Sequence, residues 1–153
     1  MRWVLVPLAI VGIVASSLAL REHYRTDSSP CSINERWDCG VVNHSPYAII
    51  GGLAGTSSFD EHPPSAIGQI PVAVVGILGY LFLGGLAIRK AYRLILLAAA
   101  AGLMFSLYLA RIEARILGVW CIYCVISLGV ISLITLLDLA YVAVSRRELR
   151  PEN

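Results

Sequence analysis

The sequence predicts an all-α membrane protein, a bundle of four transmembrane helices. The prediction rests on composition and on hydropathy. Apolar residues make up 58% of the 153-residue chain and charged residues only 14%, against about 25% in an average soluble domain. Four runs approach the roughly 20 apolar residues that a helix needs to cross a bilayer core. The net charge of +2 is too small to suggest nucleic acid as a partner.

The predicted helices cover about residues 3–20, 70–88, 94–112 and 117–144, all in a single membrane domain. The first run has a basic start and small residues, as a secretory signal peptide does. Its 18 residues exceed the usual apolar region of about 7–15, so we interpret it as a membrane helix. Pro71 suits the first turn of the second helix, where its missing N–H costs little.

The basic residues predict the orientation of the helices, because short loops rich in Lys and Arg stay in the cytoplasm. Residues 89–93 and 146–150 each carry three of them, so both chain ends are expected in the cytoplasm. The long loop 21–69 then lies outside, and its six acidic and three basic residues agree with that side. The extracytoplasmic compartment is oxidising in most cells.

The loop is also predicted to contain a short helix. Ser32 followed three residues later by Glu35 forms a possible capping box. A helix that begins at Ser32 would carry Cys39.

Four cysteines form the candidate redox site. Cys121 and Cys124 share one face at the outer end of the fourth helix, where the helix dipole favours a thiolate. Cys31 and Cys39 lie in the loop on the same side of the membrane. Two such pairs suit a relay in which thiol–disulfide exchange passes two electrons from one pair to the next and on to a lipid-soluble acceptor.

Two other interpretations of the cysteines stay open at this point. The loop pair could be a structural disulfide that staples the loop. All four could form a Cys₄ zinc site, but a metal clip beside lipid has no evident task, so no metal is expected.

Taken together, these motifs resemble the vitamin K epoxide reductase family, and its bacterial branch in particular. The motifs are CSINERWDC, Ser45 six residues after Cys39, IPVAVVGILGY, and SLYLARIEARILGVWCIYCVIS. The resemblance runs from about residue 5 to 140. It implies a four-helix bundle around a quinone pocket.

The resemblance implies an enzyme of the cell (inner) membrane, a thiol–disulfide oxidoreductase that supports disulfide bond formation. It would reoxidise a periplasmic DsbA-like thioredoxin-fold partner and reduce a membrane quinone, ubiquinone or menaquinone. The chain stops at Asn153 without a fused thioredoxin domain, so a separate partner protein is expected.

The catalytic residues implied by the resemblance are the four cysteines. The partner thiolate would attack Cys31, the released Cys39 would attack Cys121, and Cys124 would donate to the quinone. Ser45 matches a polar residue that the family places near the quinone.

The chain departs from the vertebrate pattern at two positions. The asparagine and the tyrosine that contact the vitamin in vertebrate enzymes correspond to Val72 and Leu128, whose side chains cannot hydrogen-bond a quinone oxygen. Plain quinone reduction is therefore favoured over vitamin K epoxide reduction.

A DsbB-type enzyme places its CxxC before the other pair, the reverse of the order here. A non-enzymatic tetraspan protein with structural disulfides is the alternative from another class.

Two further acidic residues are interpreted as solvated. Glu113 lies between Arg111 and Arg115 and is expected to form an interfacial ion pair. Asp138, near the cytoplasmic end of the last helix, is expected to lie close enough to the interface to be hydrated.

Overall fold

The computed structural model describes residues 1–26, 30–53 and 69–148, and this part of the chain is helical without strands. Parts of the predicted loop (27–29 and 54–68) and the basic chain end (149–153) lie outside the described residues. The helices are α1 Arg2–His23, α2 Cys39–His44, α3 Ile50–Leu53, α4 Val72–Ile88, α5 Tyr92–Ile112 and α6 Ile122–Glu148, with a 3₁₀ turn at Pro46–Ala48 and a π-helical turn at Glu113–Leu117.

Three helical stretches are long and apolar enough to cross a membrane, namely Arg2–His23, Tyr92–Leu117 and Ile122–Ser145. The prediction of an all-α protein with membrane-spanning helices is thereby confirmed. The helix α4 is apolar but has 17 residues, a rise of about 25 Å against a hydrocarbon core of about 30 Å. The count of four spans stays a prediction.

The last helix begins later than the sequence predicted, at Ile122 and not at about residue 117. The helix α6 begins at Ile122 because Gly118 adopts a left-handed conformation, with φ of 69°. That conformation is open to glycine at little cost and ends the helix before it. The N–H of Gly118 closes the π-helical turn by donating to the Glu113 carbonyl, at 2.9 Å.

The four apolar helices pack around one core. The helix α1 contacts α4 and α6, and α5 contacts α6 and α4. The core consists of buried side chains from all four helices, most of them large and apolar, namely Leu5, Tyr80, Leu83, Ala87, Ile95, Ala99, Val130, Ile131 and Ile134. Many large apolar side chains also face outward, including Ile10, Leu81, Phe82, Leu97, Met104 and Leu136. An apolar outer surface of this extent fits contact with lipid.

The helices α1 and α4 approach each other closely through small residues. A Cβ added to Gly76 would lie 2.7 Å from the Ser16 hydroxyl oxygen, and one added to Gly12 would overlap the Tyr80 ring. The Tyr80 ring is fixed, because its hydroxyl donates to the Ser127 carbonyl on α6, at 2.8 Å. Tyr80 therefore connects three helices, and Gly12 leaves the space for its ring.

The expectation that Asp138 is hydrated is wrong. Its side chain is fully buried between α6 and its neighbours. Neither carboxyl oxygen has a side-chain partner among the described residues. Its position near the end of an apolar helix did not place it at the surface, because the helix continues to Glu148.

Replacing Gly12 by Ala is expected to destabilise the protein by about 1–3 kcal/mol, the usual effect of overfilling a packed interior. Thermal unfolding in detergent would show a lower Tm. Gly79→Ala is the matched control, since a Cβ on that α4 glycine meets nothing within 4 Å. Equal Tm values for the two variants would contradict this account of the α1–α4 contact.

Candidate functional site

The loop cysteines, Cys31 and Cys39, are joined by a disulfide with their Cα atoms 5.5 Å apart. The helix that carries Cys39 does not begin at Ser32 as the sequence predicted. It begins at Cys39 itself, with Asp38 as the N-cap. The capping box fails because the Ser32 hydroxyl donates to the Asp38 carboxylate, at 2.8 Å.

Asp38 therefore organises the start of α2. Its carboxylate also accepts from the Val41 N–H, at 3.1 Å, the usual N-cap interaction. Burial acts to raise the pKa of Asp38, but hydrogen bonds from Ser32, Val41 and Gly40 outweigh it and hold the pKa below its ordinary value. The cap is consequently ionised at neutral pH.

A short backbone pairing joins the loop to the segment before α6. Trp37 and Trp120 form a parallel β-bridge. The N–H of Asp38 donates to the Trp120 carbonyl at 3.1 Å, and the N–H of Trp120 donates to the Arg36 carbonyl at 2.9 Å. Asp38 and Trp120, which this pairing joins, are each followed by a cysteine, Cys39 in the loop and Cys121 beside α6.

The pairing brings the two cysteine pairs together. Cys31, Cys39 and Cys121 lie in one buried cluster, and Cys124 packs against it. Cys39 and Cys121 are both fully buried, whereas Cys31 keeps a 5% exposed fraction. All four cysteines proposed from the sequence therefore lie at one place, although more than eighty positions of the chain separate Cys39 from Cys121.

Cys121 and Cys124 are free thiols in this structure. Cys121 lies just before α6, and Cys124 lies in its first turn. The hydrogen bond with Cys124 lowers the pKa of the Cys121 thiol, and it outweighs burial, which acts in the opposite direction. A thiol with a lowered pKa is more readily present as the nucleophilic thiolate.

Asn43 connects the two pairs and was not identified from the sequence. Its side-chain amide donates to the Cys39 carbonyl, at 2.8 Å, and its nitrogen lies 3.6 Å from the Cys121 sulfur. The side chain is buried, and the backbone carbonyl of Asn43 faces the His23 Nδ1, at 2.6 Å. The available signal was its position four residues after Cys39, which is the same face of a helix.

Glu113 is not part of a solvated ion pair, and that prediction is wrong. Its side chain is only 3% exposed. One carboxylate oxygen accepts from the Cys121 N–H, at 3.1 Å, and the carboxyl group neighbours the Cys124 thiol, since both groups line the same cavity. Glu113 continues the regular register of α5, with its N–H bonded to the Leu109 carbonyl, and lies on the inner face of the helix, while Arg111 and Arg115 stay exposed.

A cavity of about 120 Å³ lies beside the cysteines. Its walls are mainly apolar side chains from α1, α4, α5 and α6, including Ala15, Val72, Phe105, Leu109 and Leu128. A few polar groups join them, among them Cys124, Glu113, Asn43 and Ser45. Apolar walls with a few polar groups are typical of sites for small hydrophobic ligands, and a quinone ring has this character.

Ser45 lies at the wall of this cavity, near the site that the sequence suggested for it. Its hydroxyl donates to the Val42 carbonyl, at 2.7 Å, as part of the end of α2. A bond to a ligand carbonyl would require the hydroxyl to rotate away from Val42. Its role toward a quinone stays a prediction.

Within the described ranges, no group of three or more His, Cys, Asp or Glu residues is arranged to hold a metal ion. His44 does not line the cavity; its two ring nitrogens face the carbonyls of Gly40 and Arg25, at 2.8 Å and 2.9 Å. The groups that the described residues bring to the site are thiols, a buried carboxyl group and an apolar cavity.

Comparison with known families gives one match. The model of the vitamin K epoxide reductase family matches residues 3–139, about nine-tenths of the chain. No curated protein matches the chain significantly. The matched residues include all four cysteines, Asn43, Glu113 and the lining of the cavity.

Replacing Asn43 by Leu is expected to lower the reduction potential of the Cys121–Cys124 pair by roughly 10–30 mV. The reason is that the amide N–H stabilises the reduced sulfur of Cys121, an interaction of about 0.5–1.4 kcal/mol. The potential can be measured by alkylation of free thiols after equilibration in glutathione buffers. Val41→Ala, on the exposed face of the same helix, should leave it unchanged. An unchanged potential in the Asn43 variant would show that the amide does not stabilise the reduced Cys121 sulfur.

Proposed function

Because the chain belongs to the vitamin K epoxide reductase family, it is a membrane thiol–disulfide oxidoreductase, and we propose that it links a thioredoxin-fold partner to a membrane quinone. It would reoxidise a DsbA-like protein and so support disulfide bond formation. The single observation that carries the proposal is the meeting of a disulfide, a free CxxC pair and an apolar cavity at one site.

The first exchange would take place at Cys31. A thiolate of the reduced partner attacks the Cys31 sulfur, the Cys31–Cys39 bond breaks, and Cys39 leaves as a thiolate. The second thiol of the partner then displaces Cys31, so the partner is oxidised and the loop pair is reduced. Cys31 is favoured as the point of entry because it keeps some exposure, whereas Cys39 has none.

The second exchange would pass the electrons inward. The Cys39 thiolate attacks Cys121 of the oxidised Cys121–Cys124 pair, and Cys124 is released as a thiolate. Cys31 then displaces Cys121, which restores the loop disulfide and leaves the inner pair reduced. The support for this step is that Cys39 and Cys121 occupy one buried cluster, next to the Trp37–Trp120 pairing.

The last step would take place at the cavity, which Cys124 lines. A bound quinone supplies an acceptor for two electrons and two protons. Cys124 and Cys121 supply them and close into a disulfide. Relative potentials set the direction, since about 30 mV corresponds to about 1.4 kcal/mol for a two-electron couple.

We also propose that α4 spans the membrane, which completes four spans with both chain ends in the cytoplasm. Its outward residues Leu78, Leu81 and Phe82 are large, apolar and exposed, as lipid contact requires. The turn after it carries Arg89 and Lys90, which favours the cytoplasmic side. The four cysteines lie at the opposite end of the bundle, on the extracytoplasmic side of a cell (inner) membrane.

Two other functions are supported less well. Reduction of vitamin K epoxide would draw on hydrogen bonds from the positions of Val72 and Leu128, and both line the cavity with apolar side chains. A tetraspan protein with only structural disulfides gives no reason for two free thiols beside a disulfide.

Reduction of a quinone by the purified protein in detergent is the central test. With a reduced DsbA-type partner as electron donor, wild type is expected to turn over a benzoquinone or a naphthoquinone, followed by absorbance. Cys124→Ala is expected to lose this turnover, because the proposed terminal donor is missing. Absence of turnover in wild type with both quinones would refute the proposed acceptor.

Trapping of the partner tests the entry point. Cys39→Ala incubated with a DsbA-type protein that keeps only its attacking cysteine, activated as a mixed disulfide with thionitrobenzoate, is expected to accumulate a disulfide through Cys31. Thionitrobenzoate leaves, and neither Cys39 nor a second partner thiol is there to resolve the adduct. Non-reducing gel electrophoresis detects the adduct. Cys31→Ala is the control and should yield far less of it. A stronger adduct in the control would assign entry to Cys39, and no adduct in either variant would refute the proposed partner.

A further inference from the structure

We propose that Glu113 is the proton acceptor for the Cys124 thiol and passes that proton to the ligand in the cavity. The inference rests on the proposed quinone reduction and assigns one of its proton transfers to a residue. Glu113 touches a reacting atom, so the role proposed for it is catalytic.

The geometry places Glu113 among three relevant groups. Its carboxyl group accepts from the Cys121 N–H at 3.1 Å, neighbours the Cys124 thiol, and lines the cavity together with it. The side chain is 3% exposed, so bulk water does not compete at this position. A general acid or base must lie within hydrogen-bond reach of the proton that it transfers, and this residue does.

The other polar groups at the cavity are less suited to this role. Glu113 is the one carboxyl group among the described residues that line it. His23 also lines the cavity, but its Nδ1 is engaged with the Asn43 carbonyl. The remaining ionisable groups at the wall are the phenols of Tyr47 and Tyr123 and the Cys124 thiol itself.

Electrons and protons both balance in this transfer. Cys121 and Cys124 together lose two electrons and two protons as their sulfur atoms bond, and the quinone gains the same two electrons and two protons. Glu113 takes the Cys124 proton as the thiolate forms and gives it up again to the reduced ligand. The carboxyl group therefore ends the cycle in the state in which it began.

Glu113→Gln is the discriminating variant, because the amide oxygen can still accept from the Cys121 N–H while the group can no longer take a proton. Prereduced protein is mixed rapidly with a soluble quinone in a single turnover. The rate of quinone reduction is expected to fall about 100-fold, at the lower end of typical general acid–base contributions. The pH dependence of the rate, with Cys121, Cys124 and His23 as the neighbouring titratable groups, is expected to change as well.

A second readout uses no quinone. The rate of alkylation of Cys124 by iodoacetamide, located by mass spectrometry, is expected to rise in Glu113→Gln. Removal of a neighbouring negative charge favours the thiolate. Faster alkylation combined with slower quinone reduction and an unchanged Tm identifies a proton carrier, whereas a loosened site that exposes Cys124 would lower the Tm as well.

Glu22→Gln is the matched control, since Glu22 is equally buried at the same end of the bundle but does not line the cavity. It should change neither rate. If Glu113→Gln does not fold, Glu113→Asp keeps the carboxyl group and is expected to retain a measurable pH-dependent rate below that of wild type.

The rates of wild type and of Glu113→Gln test the role of Glu113 separately from quinone reduction as a whole. Wild-type turnover together with an unaffected or faster Glu113→Gln would overturn the role of Glu113 alone. A wild type that reduces no quinone would overturn the proposed function, and this inference with it.

Discussion

The two hydrogen bonds between the loop and Trp120 are the contact on which the rest of the site depends. They fix Asp38 beside Trp120, and the next residue on each side is a cysteine. Asp38 also caps the helix that carries Cys39. One residue thus sets both the start of α2 and its distance from α6. Two cysteine pairs from remote parts of the chain are thus held together by hydrogen bonds between backbone atoms, which do not depend on the type of side chain.

The second constraint is the irregular end of α5. Glu113 ends the regular part of α5, with its N–H bonded to the Leu109 carbonyl and its side chain buried against Cys121, and the π-helical turn shifts the residues that follow it. Gly118 then reverses the backbone so that α6 can begin. Single π-helical turns of this kind occur often at functional sites. Here the turn lies between Glu113 and Cys124, the carboxyl group and the thiol that both line the cavity.

The sequence predicted the helical class, the apolar helices and the grouping of the cysteines, because these follow from hydropathy and spacing. It did not predict the roles of Asp38, Asn43 and Glu113. Ser32 and Glu35 match a capping box locally, but the Asp38 cap is stabilised by a contact that only the folded loop makes. Glu113 between two arginines suggests an exposed residue, but packing places it on the inner face of α5. Burial of Asp138 likewise depends on how three helices pack.

The Trp37–Trp120 bridge also limits how such a chain can change during evolution. Side chains alternate across an extended pairing, so a shift by one residue turns every side chain to the opposite face. Inserting or deleting one residue between the bridge and Cys39 or Cys121 would leave the helices intact and still separate the sulfur atoms. Substitutions at the two tryptophans preserve the register. Divergent relatives are therefore expected to tolerate changes of residue type at this pairing far better than changes of length.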